Sequence, residues 1–351
     1  MKLSILANAA ILFSLAFAIS SICIPLIIKI AKKNQLYSNN GGGRHVHEGL
    51  IPRLGGVAIV VGFIFSQLYL ILITPLNPAF YIEYYFLLLS FFILFILGLL
   101  DDIVDVGSYF KFFVQLLVAI ILVWNADIRI FSFYGLFGLY ELPVIVSYVF
   151  SILVLVFFIN AYNLIDGLDG LSCLVGLYVL LCFLFVFLIN EQYIEIMLAI
   201  SAIGCLLGFL LFNKSPAKIF MGDSGTLSIG LLIAFFSIRV SNLPLDFSEN
   251  INPVIPMVVL SYPVIDTLRV FFRRILNGNS PFSADRNHIH HALFDLGYGH
   301  TKSSILIIFS SVILTFIIYF LREQHTFSFF VSVILILLMS QLPFYLLNRK
   351  K

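Results

Sequence analysis

The chain has 351 residues, 61% of them hydrophobic and only 11% charged, with a mean hydropathy of +1.08. A soluble fold needs far more polar surface to cover its core, so the composition excludes one and identifies a polytopic membrane protein; no nucleic-acid partner is expected. The formal net charge of +2 says little as a sum, because in a membrane protein the placement of charge carries the information.

Crossing about 30 Å of hydrocarbon takes on the order of 20 apolar residues. Eleven stretches meet that requirement, at roughly 4–30, 50–73, 82–100, 107–124, 143–162, 170–189, 194–212, 224–240, 251–271, 303–321 and 327–347. The expected fold class is all-α, a single integral membrane domain over residues 1–351 with about 11 transmembrane helices. The first stretch has one Lys and an Ala16-Phe17-Ala18 triplet, as a signal peptide would. Its apolar run nevertheless continues to Ile30, beside Lys29, Lys32 and Lys33, which makes a retained span the better reading. Cys23, Cys173, Cys182 and Cys205 all fall in apolar runs without metal-ligand spacing and are read as packing residues.

With the N-terminus outside and the spans alternating, sixteen of the twenty basic residues fall on the inner side. That is the bias of cytoplasmic loops, and it predicts an outer N-terminus and a cytoplasmic C-terminus. Nine of the ten inner acids are then Asp, whereas the outer acids are mostly Glu. A preference for the shorter, stiffer carboxylate on one face suits oxygen coordination of a hard cation. The outer stretch "DIRIFSFYGLFGLYELP" alternates aromatic and turn residues, which predicts a small β-hairpin on the membrane surface.

Five inner stretches carry the chemistry. In "GLLDDIVD", Asp101 and Asp105 are four apart and would share a helix face beside Asp102; three carboxylates there need a cationic partner. In "NAYNLIDGLDG", Asn160, Asn163, Asp166 and Asp169 recur every third residue, as on one helix side, while Gly167 and Gly170 interrupt the helix and give a ligand room. In "NKSPAKIFMGDSG", Asp223 lies in a Gly-Asp-Ser-Gly turn at the head of a span, suited to a metal-bound phosphate and equally to an N-cap by Asp223 or Ser224. "SPFSADRNHIHH" gathers Arg286, His288, His290 and His291; the spacing of two and one, without a nearby cysteine, fits a diphosphate better than zinc, and Asp285 is expected to orient one of these side chains. "RHVHEGLIPRLGG" brings His47, and Lys111 lies one turn inside the fourth span, placed either to snorkel or to meet a lipid phosphate.

Together "HEGLIPRLGG", "DDIVD", "NAYNLIDGLDGL", "FNKSPAKIFMGDSG" and "SPFSADRNHIHH" resemble, in order, the motifs of the polyprenyl-phosphate N-acetylhexosamine-1-phosphate transferases, over residues 44 to 300. The resemblance implies attack by undecaprenyl phosphate on the β-phosphate of a UDP-sugar, with release of UMP, and dependence on Mg²⁺, for which Mn²⁺ is a substitute. It makes Asp223 the magnesium ligand and Asp101 and Asp102 the catalytic pair beside the lipid phosphate. Asn163 and Asp166 join the central polar cluster; Asp169, Asn213 and Phe220 sit near the uridine; and His288, His290 and His291 approach the diphosphate and sugar.

Ile289 interrupts the histidines, which is similar to the N-acetylglucosamine-type branch rather than the MurNAc-pentapeptide branch. UDP-N-acetylglucosamine is therefore the expected donor, with another UDP-N-acetylhexosamine or UDP-MurNAc-pentapeptide as alternatives. The expected place is a bacterial plasma membrane with the site on the cytoplasmic face, and a homodimer is compatible with the family. A transporter, the reading from another class, would spread ionisable groups through the depth of the bilayer, and here they cluster at one face.

Overall fold

The computed structural model describes residues 2–36, 51–74, 78–243, 253–280, 286–321 and 325–350. They form thirteen α-helices: α1 (Lys2–Lys33), α2 (Gly55–Ile73), α3 (Pro78–Val104), α4 (Ser108–Asn125), α5 (Val144–Leu164), α6 (Leu171–Ile189), α7 (Tyr193–Asn213), α8 (Gly222–Asn242), α9 (Val254–Val259), α10 (Ser261–Leu276), α11 (Ile289–Leu293), α12 (Gly299–Phe320) and α13 (His325–Lys350). Among the described residues, ten runs are long and apolar enough to cross a membrane: α1 to α8, the run from α11 through α12, and α13. The all-helical membrane class follows from the composition, because in hydrocarbon a helix satisfies its own backbone polar groups.

The expected ninth crossing, 251–271, is not one helix. It is broken at Leu260 into α9 and α10. Pro263 has no N–H to donate to the preceding turn, so the helical ladder is interrupted there, and apolar length alone hides the break. α9 packs at the end of the bundle remote from the polar motifs, where Val254 and Val258 cluster with Leu136, Leu314 and Ile318. α10 then leads the chain back toward the histidine segment.

The outer hairpin is reduced to a single antiparallel bridge, Ser132 to Glu141, flanked by Phe133 N–H to Tyr140 O and Leu142 N–H to Phe131 O, each 2.9 Å. No strand forms among the described residues. The pairing is too short because the chain between its two sides turns through positive φ at Tyr134, Gly135, Phe137 and Gly138.

α8 is the hub. Of its spanning window 94% is buried inside the protein, against 22% for α1, and it packs on α2, α3, α5, α6 and α9. Small residues along its first turns, Gly222, Ser224, Gly225, Thr226, Ser228 and Gly230, let those neighbours come close. Three of its hydroxyls are satisfied inside the helix: Ser228, Ser237 and Ser241 donate to the carbonyls four residues back at 2.7, 2.7 and 2.8 Å. The four cysteines are free, Cys173 and Cys205 fully buried and Cys23 and Cys182 partly so.

Charge collects at the two ends of α8, about 24 Å apart along its axis from Asp223 to Arg239. At the far end Arg239 bridges Glu195 of α7 at 2.6 Å and Glu83 of α3 at 3.2 Å. Glu195 is the buried member of the three, so losing Arg239 would strand its charge. Arg239→Gln is expected to lower stability by roughly 2 kcal/mol, after discounting the partly solvated Arg239 and Glu83. Glu83→Gln should cost much less. Thermal unfolding of the detergent-solubilised variants reads both.

Candidate active site

The near end of α8 begins where two segments distant in sequence lie side by side. Phe220 N–H donates to Pro52 O at 2.9 Å, Gly55 N–H to Phe220 O at 3.0 Å and Gly56 N–H to Met221 O at 2.8 Å. The chain then enters α8 through Gly222 at φ +71, where a β-carbon would strike Arg53 O and the Asp102 carboxylate. Only glycine serves there.

The first N–H groups of a helix have no partner within it. Here Asp102 supplies one. Its Oδ1 accepts Asp223 N–H at 2.8 Å, and its Oδ2 accepts Ser224 N–H at 3.0 Å and the Ser224 hydroxyl at 2.7 Å. The cap expected from Asp223 or Ser224 is thus provided from α3, and Asp223 is left free of that duty.

Asp101, next in sequence, faces elsewhere. Its Oδ2 lies 3.1 Å from Lys111 Nζ, and the same Nζ lies 3.0 Å from Asp223 Oδ2. Asp101 Oδ1 accepts Val106 N–H at 2.8 Å, closing the end of α3. Asp223 Oδ1 in turn accepts Asn163 Nδ2 at 3.1 Å, and the same amide nitrogen donates to Thr226 Oγ1 at 2.7 Å. One lysine, two carboxylates and an amide therefore converge from α3, α4, α5 and α8. Asp105 does not join them, because α3 ends at Val104 and Asp105 is exposed in the left-handed region at φ 56.

The stretch 160–170 divides. Asn160 donates to Gln115 Oε1 at 2.5 Å and Val156 O at 2.8 Å, and so joins α5 to α4. Asp166, just beyond α5, accepts the Ser172 hydroxyl at 2.6 Å. Burial pushes its carboxyl up to about 6, and the Asp223 charge adds to this while Ser172 and Arg53 oppose it. Asp169 and Asn213 turn inward. Asp169 Oδ2 accepts Ala217 N–H at 3.1 Å, while Asn213 accepts Gly170 N–H at 3.1 Å and donates to Ile219 O at 2.8 Å. Of the three residues expected near a nucleotide, only Phe220 keeps a partly exposed side chain. The α5 helix stops at Leu164, so the three-residue spacing does not run on as one helix face.

The histidines approach from the other side. His288, His290 and His291 are buried, with ring centroids 4.3 Å apart for His290 and His291. His290 Nε2 is the atom nearest to where a β-carbon of Gly167 would lie. His291 Nδ1 is buried without a hydrogen-bond partner among the described residues, as a group left for a ligand would be. Arg286 is exposed and pairs with Asp295 at 3.7 Å. His47 and Asp285 lie outside the described residues. The carboxylate that holds His288 is Asp266, at 2.7 Å, which sequence reading counted only as one more inner acid. Ser172 and Thr226, which bond to Asp166 and Asn163, carry no sequence signal beyond standing within a few residues of a glycine-flanked Asp.

The carboxylate oxygens of Asp101 and Asp223 suit a hard divalent cation rather than zinc. Asp102→Ala is expected to leave the N–H groups of residues 223 and 224 unpaired and to cost about 1–2 kcal/mol. Asp101→Ala, which gives up one N–H and a partly solvated lysine, should cost less. Melting temperatures of the two variants in one detergent test the order.

The sequence profile of Glycosyl transferase family 4 matches residues 84–241, the segment that runs from α3 to the end of α8. The "Probable undecaprenyl-phosphate N-acetylglucosaminyl 1-phosphate transferase" of Bacillus subtilis (strain 168) is 33% identical over 299 residues, 84% of this chain and 80% of that protein. The "Undecaprenyl-phosphate alpha-N-acetylglucosaminyl 1-phosphate transferase" of Yersinia pestis is 28% identical over 87% of this chain and 80% of its own length. The "Decaprenyl-phosphate N-acetylglucosaminephosphotransferase" of Mycolicibacterium smegmatis is 30% identical over 75% of this chain and 70% of its own length. With a relative 33% identical over 84% of this chain and a family profile that matches residues 84–241, the chain belongs to glycosyl transferase family 4.

Proposed function

We propose that this protein transfers N-acetylglucosamine 1-phosphate from UDP-N-acetylglucosamine to a polyprenyl phosphate, undecaprenyl phosphate above all, at the cytoplasmic face of a bacterial plasma membrane. The observation that carries the reading is the meeting of Asp101, Asp223, Lys111 and Asn163 within hydrogen-bond reach at one end of an apolar bundle, in a chain 33% identical to a transferase of that name.

In the reaction a lipid-phosphate oxygen attacks the phosphorus that bears the sugar. The bond from that phosphorus to the bridging oxygen breaks, and UMP leaves with the bridging oxygen. Both reactants are anions, so their approach requires neutralising charge. Lys111, paired with Asp101 and Asp223, would supply one positive charge to the lipid phosphate. The attacking phosphate is already ionised, so Asp101 need not form a covalent intermediate; it orients Lys111 and stands within reach of a proton carried in on the lipid phosphate.

Asp223, with Asp101 beside it, would hold Mg²⁺, which when bound would offset the diphosphate charge. Asn163 fixes the rotamer of Asp223. Asp102 does not enter the chemistry directly in this reading; it sets the turn from which Asp223 projects. The histidines face the donor across Gly167.

Membranes containing the protein should convert UDP-N-acetylglucosamine and undecaprenyl phosphate into an organic-extractable product with matching release of UMP, and EDTA should stop it until Mg²⁺ is restored. Product formed at the full rate in EDTA would remove the metal from the scheme. Asp223→Asn should lower turnover by ~10²-fold or more with an unchanged melting temperature. In a donor panel, preference for UDP-N-acetylgalactosamine or UDP-MurNAc-pentapeptide would reassign the sugar and keep the reaction class.

A further inference from the structure

One face of α10 grips four consecutive residues of the histidine segment. Arg269 Nη1 donates to Asn287 O at 2.6 Å. Asp266 Oδ2 lies 2.7 Å from His288 Nδ1, and its Oδ1 accepts Ile289 N–H at 2.7 Å. The Tyr262 hydroxyl lies 2.9 Å from His290 Nδ1. Tyr262, Asp266 and Arg269 follow one another by four and three residues, the spacing of a single helix face. Because α10 also packs on α5, this face fixes the histidines relative to Asn163 and Asp166.

Asp266 is the centre of the array. It is fully buried, and a buried carboxylate is tolerated only where its oxygens are bonded. An ionised carboxylate only accepts, so His288 Nδ1 carries the hydrogen and its Nε2 lone pair is left for another partner. His288 stacks on His290 with centroids 5.2 Å apart and planes 18° from parallel, and His290 Nε2 rests against Gly167. Ligand atoms of Asp266, His288 and His290 lie within 4.8 Å of one another, the spacing of a possible metal site. Both Asp266 oxygens and both Nδ1 atoms already have hydrogen-bond partners, however, and those bonds account for the arrangement without an ion.

We propose that Asp266 is a positioning residue for the nucleotide-sugar donor, acting through His288 by fixing its tautomer and by anchoring the backbone of residue 289. The proposal rests on the transferase reading above and adds to it the residue that arranges the donor side of the site. Tyr262 and Arg269 hold the flanks of the same segment.

Asp266→Asn tests it, because the amide keeps the size and still accepts Ile289 N–H but presents a donor to His288 Nδ1. The expected result is a fall in kcat/KM for UDP-N-acetylglucosamine of about 10–100-fold, the usual range for a group that orients a ligand-contacting histidine. KM for undecaprenyl phosphate and the melting temperature should hold. In ¹⁵N-histidine-labelled protein, the His288 signals, assigned by their loss in His288→Gln, should change from the Nδ1–H to the Nε2–H tautomer. The double variant should be no slower than His288→Gln alone. Wild-type kcat/KM in Asp266→Asn, multiplicative losses in the double variant, or stoichiometric zinc that disappears with Asp266→Asn would each overturn the proposal. If the wild-type protein transfers no sugar phosphate from any UDP-sugar, the transferase reading falls, and the tautomer measurement alone then upholds or removes the coupling of Asp266 to His288.

Discussion

The bond on which this end of the molecule depends is that between the Asp102 carboxylate and the first N–H groups of α8. A helix that begins inside an apolar bundle brings unpaired donors and a partial positive charge with it. Asp102 answers both from the end of α3, and in doing so it sets the distance between α3 and α8. Asp101 then faces Lys111 of α4, and Asp223 projects from the first turn of α8 toward the same lysine and toward Asn163 of α5. Four helices thus reach one small polar volume because one carboxylate fixes where the most buried of them starts.

The polar side chains around that volume separate by the kind of partner they hold. Asp102, Asp169, Asn213 and Asp266 bond to backbone groups of neighbouring segments and keep the loops in register. Asp101, Asp223, Lys111 and Asn163 bond mainly to one another, through side chains that can exchange these contacts for those of a ligand. Asp and Asn occur in both sets, so residue type does not tell the acids and amides of one from those of the other. What separates them is whether a backbone N–H of a segment distant in sequence stands opposite; the one backbone bond of Asp101, from Val106, is local.

That difference explains which parts of the protein could be read in advance. The all-helical membrane class and the motifs whose carboxylates meet at the start of α8 were legible, because charge cannot be hidden in hydrocarbon and must appear in short polar stretches. Asp105, placed on a shared face by a spacing of four, lies past the last turn of α3. The break at Leu260 was signalled by Pro263 and masked by the apolar length around it. The inward turn of Asp169 toward Ala217 N–H and of Asn213 toward Gly170 N–H depends on partners 48 and 43 residues away. Asp266 had the clearest local mark, a Tyr-Asp-Arg face on α10, but its meaning needs the histidine segment laid against it.

The Asp102 clasp also bears on how the chain is made. It joins residues 121 positions apart, and membrane segments emerge from the N-terminus onward. While α4 to α7 are being synthesised, Lys111 of the adjoining helix is the nearest counter-charge in sequence to Asp101 and Asp102. That lysine is made within ten residues of both acids, so an ion pair is at hand long before α8 arrives to take up the second carboxylate. The charge that later bridges Asp101 and Asp223 is thus also the one that is available to the acids of α3 while the bundle is unfinished.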